Sequence, residues 1–203
     1  MIERISEVVG RAVPRETYAK LEQYVAFLLD EADRQNLISP TTRDDVWERH
    51  IVDGAQLVGL AGPGSWCDVG SGAGLPGIVI AILIDSPVTL IEPRRLRADF
   101  LQRVANELDL AHVSVVCAKA ERVSGRFDLI TARAVASLDK LLGITRHLAH
   151  NETKWLLPKG QKAQSELEEA RQNWQGNFVL VESATNPDAS IIVASELRPR
   201  GKR

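Results

Sequence analysis

The spacing of hydrophobic positions changes once along this chain, near residue 61. Before that point apolar residues recur at helical intervals. Between Glu16 and Ala32 they fall at Tyr18, Leu21, Tyr24, Val25, Leu28 and Leu29, which places them along one face of a helix. Thr41-Thr42-Arg43-Asp44-Asp45 offers hydroxyl and acidic residues to start a further helical run, Val46-Trp47-Glu48-Arg49-His50-Ile51. Leu60-Ala61-Gly62-Pro63-Gly64 then interrupts the chain. The pattern predicts a helical extension over 1–60 and a second unit over 61–203, together forming one compact body.

Beyond the break, short apolar runs alternate with amphipathic ones. The predicted strands are Ser65 to Val69, Val88 to Glu92, Val113 to Cys117, Phe127 to Arg133 and Lys154 to Pro158. The predicted helices between and after them are Gly77 to Ile84, Arg94 to Leu108, Leu138 to Ala149 and Gln161 to Trp174. Two last strands, Phe178 to Ser183 and Ser190 to Ser195, flank the turn residues Thr185-Asn186-Pro187-Asp188. This alternation predicts an α/β fold, a doubly wound, mostly parallel Rossmann-like sheet with helices on both faces. The closing hairpin adds an antiparallel edge.

Within this frame one turn carries the chemistry. Trp66-Cys67-Asp68-Val69-Gly70-Ser71-Gly72-Ala73-Gly74-Leu75-Pro76-Gly77 reads as a strand end, a glycine-dense turn and a helix start. Asp68 precedes the first glycine, and Glu92 closes the next strand about twenty residues on, the offset of a ribose-binding carboxylate. Gly72 to Gly77 matches G-x-G-x-x-G formally, but Pro76 removes a backbone donor where a pyrophosphate needs one. S-adenosylmethionine has no phosphate; its ammonium suits Asp68 and its ribose hydroxyls suit Glu92. Three readings stay open at this point: a methyl donor, a dinucleotide, or a turn with no ligand. Asp68 also reads as a strand-end cap, and Glu92 as a charge at the N-terminus of the helix after Pro93.

Composition narrows the setting. The 203 residues are 44% hydrophobic and 26% charged, enough for a sizeable core, and the formal charge of −2 gives a nucleic-acid partner no support from net charge. Such a partner needs local basic patches. Arg94-Arg95-Leu96-Arg97 is one, read either as phosphate-binding or as solvated surface; the tail Arg198-Pro199-Arg200-Gly201-Lys202-Arg203 is another, with the same two readings. The two cysteines, Cys67 and Cys117, fit no zinc spacing and read as buried, reduced thiols of a cytoplasmic protein. The first residues carry acid early, without an apolar run of signal-peptide length, and no run approaches a membrane span. His147 and His150, three apart on a predicted helix, have no third ligand, so no metal is expected.

The chain resembles the RsmG (GidB) methyltransferases over nearly its whole length. The resemblance rests on Arg49-His50-Ile51-Val52-Asp53, on Asp68 to Gly77 with its Leu75-Pro76-Gly77 extension, on Thr131-Ala132-Arg133-Ala134-Val135-Ala136-Ser137-Leu138, and on Lys159-Gly160. Three departures fall in the helical stretch. Glu31-Ala32 stands where the family usually has Trp-Asn, Gln35-Asn36-Leu37-Ile38 where it has Tyr-Asn-Leu-Thr, and Gly54 where it has Ser. The resemblance implies methyl transfer from S-adenosylmethionine to N7 of a guanine in 16S ribosomal RNA, within the small subunit or an assembly intermediate; a monomer is expected. It implies that Gly70 and Leu75 line the cofactor site, that Ala120 and Glu121 lie by the adenine, and that Arg133 stands between cofactor and RNA.

The residues are consistent with that chemistry. A guanine N7 carries a free lone pair at neutral pH, so transfer needs positioning more than a general base. No Asn/Asp-Pro-Pro-aromatic run or Pro-Cys pair follows the fourth predicted strand. The expected site is therefore Asp68, Gly70, Gly72, Leu75, Glu92, Ala120 and Glu121 for the cofactor, with Arg133 reaching both cofactor and substrate. A salt bridge from Arg133 to Asp128 or Asp139 is the competing structural reading. His50 reads as a tie to Asp53 or as a neighbour of RNA. Two other functions remain as alternatives: a nicotinamide-dependent oxidoreductase on a similar sheet, and a non-catalytic RNA-binding or ribosome-assembly factor.

Overall fold

The structure, a computed structural model, describes residues 1–203 except Asn36, Pro40, Thr42, Lys202 and Arg203. Thr42 of the expected helix start, Asn36 within the departing Gln35 to Ile38 stretch and the last two basic residues of the tail lie outside the described residues.

The helical stretch comprises α1 (Ile2–Val9), α2 (Arg15–Gln35), a π-helical turn (Trp47–Val52) and α3 (Asp53–Leu60). The alternating part follows as β1 (Trp66–Val69), α4 (Gly77–Leu83), β2 (Val88–Ile91), α5 (Arg95–Glu107), β3 (Val113–Val116), β4 (Phe127–Thr131), α6 (Leu138–Thr145), β5 (Ala149–Lys159), α7 (Ala163–Asn173), β6 (Trp174–Glu182) and β7 (Ser190–Pro199). Short 3₁₀ turns occupy Ala120–Arg122 and Arg146–Leu148.

The strands form one sheet in the order β3-β2-β1-β4-β5-β7-β6. β1 to β5 run parallel, and β7 lies antiparallel between β5 and β6. The C-terminal hairpin is thus the sheet's edge, with β6 outermost. The strand order reverses between β1 and β4, so the loops leaving those two strands diverge and open a crevice.

Two apolar cores flank the sheet. Residues of α1 to α5 pack on one face and those of α6 and α7 on the other. Helix α4 (GIVIAIL) is buried at every position. A helix apolar all round needs cover on all sides; here the sheet lies on one side and the helical stretch on the other, since α2, α3 and α4 share a single core. The stripe read from α2 is the face that enters it, through Leu21, Tyr24, Val25 and Leu28.

Several boundaries differ from the sequence reading: β6 begins at Trp174 where Phe178 was expected, β7 runs on to Pro199, and two further differences decide where Arg133 and the histidines stand. β4 ends at Thr131, two residues before Arg133, and Ala134 takes a φ of +56°. A non-glycine residue in the left-handed region is strained and turns the chain sharply, so Arg133 stands on a loop and not on a strand. β5 begins at Ala149, where a helix was expected, because Ala149 pairs with Phe127 and the polar His150-Asn151-Glu152 loops out before Lys154 pairs with Leu129. His147 and His150 therefore share no helical face. His147 Nε2 pairs with the Val123 carbonyl at 3.0 Å and His150 Nε2 with Asp128 at 3.0 Å.

Candidate functional site: a glycine crevice beside an arginine cavity

The glycine turn leaves β1 at the crevice, and backbone bonds fix its path. The Gly70 and Ser71 N–H groups both donate to the Ile91 carbonyl, at 2.8 and 3.1 Å, and Gly74 N–H donates to Ser71 at 2.7 Å. Gly70, Gly72 and Gly74 have φ of +71°, +56° and +92°, a region open to glycine and costly to other residues. A side chain at Gly70 would also meet Val135 of the loop after β4 at 2.6 Å.

Two buried carboxylates clamp this turn. Glu92 accepts from Gly72 N–H at 2.9 Å and from Arg94 N–H at 2.8 Å. Asp68 accepts from Gly77 N–H at 3.1 Å through Oδ2, while its Oδ1 has no partner among the described residues. Asp68 is 1% exposed, and burial pushes its carboxyl up to about 7. Both acids thus hold loop backbone, and any ligand contact adds to that role. For Glu92 the competing reading as an acid at the start of α5 also holds, through Arg94. Leu75 is buried within the turn, Ala120 is buried at the 3₁₀ turn after β3, and Glu121 beside it is exposed. The carboxyl ends of β1, β2 and β3 therefore bring Gly70, Gly72, Leu75, Glu92, Ala120 and Glu121 to one edge of the sheet.

Across the switch point lies a cavity of about 190 Å³, lined by Arg49, His50, Asp53, Arg133, Pro158, Lys159, Gly160, Thr185, Asn186 and Ala189. Four distant segments converge on it: the π-helical turn with α3, the loop after β4, the end of β5, and the β6–β7 turn. The partner of Arg133 is Asp53, at 3.2 Å. The competing reading of Arg133 as a salt-bridge residue thus holds in kind, but with Asp53 in place of Asp128 or Asp139. Asp128 instead accepts from Ser65 and pairs with His150, and Asp139 accepts from Asn173 and Trp174.

Arg133 also contacts His50 Nδ1 at 3.3 Å and donates to the Arg49 carbonyl at 3.4 Å. Burial and then the neighbouring guanidinium push the His50 imidazole down to about 4, so it is neutral near pH 7. Asp53 in turn accepts from Gln56 at 2.9 Å and from the Thr185 hydroxyl at 3.1 Å. Lys159 donates to the Ala136 carbonyl at 2.9 Å and to Glu166 at 2.8 Å, bracing the loop that carries Arg133.

The network that Asp53 builds with Arg133 and Thr185 was not visible in the sequence, although both ends lie near motifs already singled out. A search for acids near residue 133 looks in the wrong place, because its partner precedes it by 80 positions.

Cys67 is buried, but Cys117 is exposed, because β3 stops at Val116. Arg95 pairs with Asp99, whereas Arg94 and Arg97 make no ion pair among the described residues. The departing residue Glu31 is buried and ties α2 to α5 through Arg103. No group of three or more His, Cys, Asp or Glu among the described residues has metal-binding geometry. No helix of the described residues is long and apolar enough to cross a membrane.

Comparison with known proteins gives a consistent result. The family described as rRNA small subunit methyltransferase G matches residues 17–190. The ribosomal RNA small subunit methyltransferase G of Rhizorhabdus wittichii is 50% identical, covering 96% of this chain and 92% of its own length. The protein of the same name from Zymomonas mobilis is 46% identical, covering 94% and 91%. Among solved structures, a SAM-dependent methyltransferase from Aquifex aeolicus superposes with a TM-score of 0.60 at 16% identity, covering 80% of this chain and 96% of that one. At that identity the likeness speaks for the fold.

Proposed function

Since the chain belongs to the rRNA small subunit methyltransferase G family, we propose that it transfers a methyl group from S-adenosylmethionine to N7 of a guanine in 16S ribosomal RNA. The observation that carries this reading is the adjacency of two unlike sites. A glycine turn clamped by Asp68 and Glu92 opens at the same switch point as a cavity containing Arg133.

The cofactor supplies an electrophilic methyl group on a sulfonium. Gly70 and Gly72 let the backbone approach it closely. Glu92 accepts from the ribose hydroxyls while holding Gly72. Asp68 keeps the turn in shape, and its free Oδ1 is the atom left for the ammonium, directly or through water. Leu75, Ala120 and Glu121 complete the wall. The turn is suited to a ligand without phosphate, since the amides of Gly70, Ser71, Gly72, Gly74 and Gly77 are already spent on protein acceptors. This weighs against a dinucleotide, whose pyrophosphate needs free N–H groups at the turn.

Arg133 presents a planar fork to the guanine O6 or to a phosphate. Asp53 is the one acid lining the cavity among the described residues, and it is committed to Arg133, Gln56 and Thr185. It is therefore no free base, which suits attack by an unprotonated N7. The enzyme's contribution is alignment and exclusion of water.

Residues 61–203 carry the transfer chemistry and 1–60 form the helical extension. The protein acts as a cytoplasmic monomer on an assembled or partly assembled small subunit. The test is mass mapping of N7-methylguanine in ribosomal RNA from cells with and without this gene, paired with transfer of labelled methyl by the purified protein. Loss of one specific N7-methylguanine, restored by the protein, is the expected result. Unchanged N7 methylation and no transfer to subunit or RNA overturn the reading.

A further inference from the structure

Arg133 uses only one corner of its guanidinium to hold itself in place. All three of its contacts are made by Nη1: Asp53 Oδ2 at 3.2 Å, His50 Nδ1 at 3.3 Å and the Arg49 carbonyl at 3.4 Å. Nη2 and Nε make no hydrogen bond among the described residues, although the side chain is only 23% exposed and lines the cavity. The Nε–H and the Nη2 N–H parallel to it are thus left free along one edge, on the side of the guanidinium away from its anchors.

The backbone does not account for this pose. Arg133 lies past the last residue of β4, next to the strained Ala134, and an arginine side chain on a loop has several free torsions. Its anchor comes from a distant part of the chain. We propose that His50 and Asp53 are positioning residues for methyl transfer: they fix one corner of the Arg133 guanidinium so that its opposite edge meets the target guanine. The proposal rests on the methyl-transfer reading above.

Each anchor does a different job. Asp53 supplies the charge, and is itself held by Gln56 and by Thr185 of the β6–β7 turn. His50 supplies a directional acceptor, which requires a neutral imidazole with its proton on Nε2. Burial at 8% exposure and the facing Arg133 keep the ring in that form. A second carboxylate in its place would over-neutralise the guanidinium, and a cation would repel it. The wide π-helical turn, a geometry that recurs at functional sites, is where His50 sits, immediately before Asp53 at the start of α3. Guanidinium geometry matters because an error of about 1 Å in a positioning group costs up to about a hundredfold in rate.

The test is a double-mutant cycle on methyl transfer to small subunits, comparing wild type, His50→Ala, Arg133→Ala and the double variant, with His50→Asn as a conservative replacement whose Oδ1 can take the place of Nδ1. His50→Ala is expected to lower kcat about tenfold or more with a smaller change in KM, and His50→Asn to recover most of the loss. In the Arg133→Ala background the same His50→Ala change is expected to cost less than about threefold. If His50→Ala does not fold by thermal unfolding, Asp53→Asn takes its place in the cycle, with the same expected dependence on Arg133. Equal losses in both backgrounds, or a His50→Asn variant no better than His50→Ala, overturn the proposal. A wild-type protein that transfers no methyl overturns the functional reading itself, whereas an active wild type with an additive cycle overturns only the positioning role.

Discussion

Two neighbouring regions at one sheet edge are assembled on different principles. In the glycine crevice, the carboxylate and backbone contacts join residues lying between Asp68 and Arg94. In the arginine cavity, residue 133 is tied to 49, 50 and 53, and residue 53 to 185. The path of the glycine turn is set mainly by a local run of strand, turn and helix, with one distant strut from Tyr24. The cavity exists only after the chain has closed, since its walls come from both ends of the molecule. The first is built from tight turns and backbone bonds, the second from charged side chains that must be aimed.

Substitutions that separate the two regions probe this contrast most strongly. Asp68→Ala leaves the Gly77 N–H without an acceptor in a sealed interior and loosens the turn. Cofactor affinity is expected to fall about a hundredfold or more, so that adding S-adenosylmethionine no longer raises the melting temperature. Retained affinity would mean that the clamp is not what shapes the crevice. Arg133→Ala is expected to slow single-turnover methyl transfer by about a hundredfold, as loss of a preorganised donor typically does, while leaving cofactor affinity within about threefold. An equal loss of cofactor binding would merge the two sites into one.

The two regions should also titrate in opposite directions. Asp68 is raised to about 7 in the folded protein, above the usual carboxylate value near 4. The folded state therefore holds an extra proton between those values, and this contribution is present at low pH and lost as pH rises through 7. His50 is lowered to about 4 from about 6.5. Its folded form binds fewer protons in that window, so its contribution is present above about 6.5 and lost as pH falls toward 4. Relative to wild type, Asp68→Asn should gain stability from pH 5 to 8, by a few kcal/mol at most. His50→Asn should show its relative advantage at pH 5 and lose it by pH 7. Melting curves of the three proteins across this range check both signs; parallel curves would remove the contrast.

The smallest expected effect lies at the outer wall of the cavity. Thr185→Val removes the hydroxyl that donates to Asp53 at 3.1 Å. Since Asp53 keeps Gln56 and Arg133, stability should drop by only about 1 kcal/mol. Transfer should slow severalfold without any change in cofactor affinity, which calorimetry and initial rates together can resolve.

What was legible in the sequence follows the same division. Strand and helix alternation, the parallel sheet and the glycine turn were readable because each is written in local periodicity or in adjacent residues. The boundaries that failed did so where a tertiary pairing overrode local preference. Ala149 to Thr153 had helical neighbours, yet β4 drew Ala149 into the sheet. The Arg133 segment looked like a continuing strand, yet Ala134 turned it out. Asp53 could not be found as the partner of Arg133, because no local pattern connects them and nearer acids competed for the assignment. Cys117 was expected inside on the strength of its apolar neighbours, but the strand stops one residue before it.

The Tyr24 hydroxyl, wholly buried, donates to the Ala73 carbonyl inside the glycine turn at 2.9 Å, and helix α4 relies on the N-terminal helices for its outer cover. The N-terminal helices and the sheet half are consequently not interchangeable modules. Grafting a foreign arm onto this scaffold would demand a matching strut and lining, so new target preferences in such a design have to be sought by altering surface side chains, with the architecture kept whole.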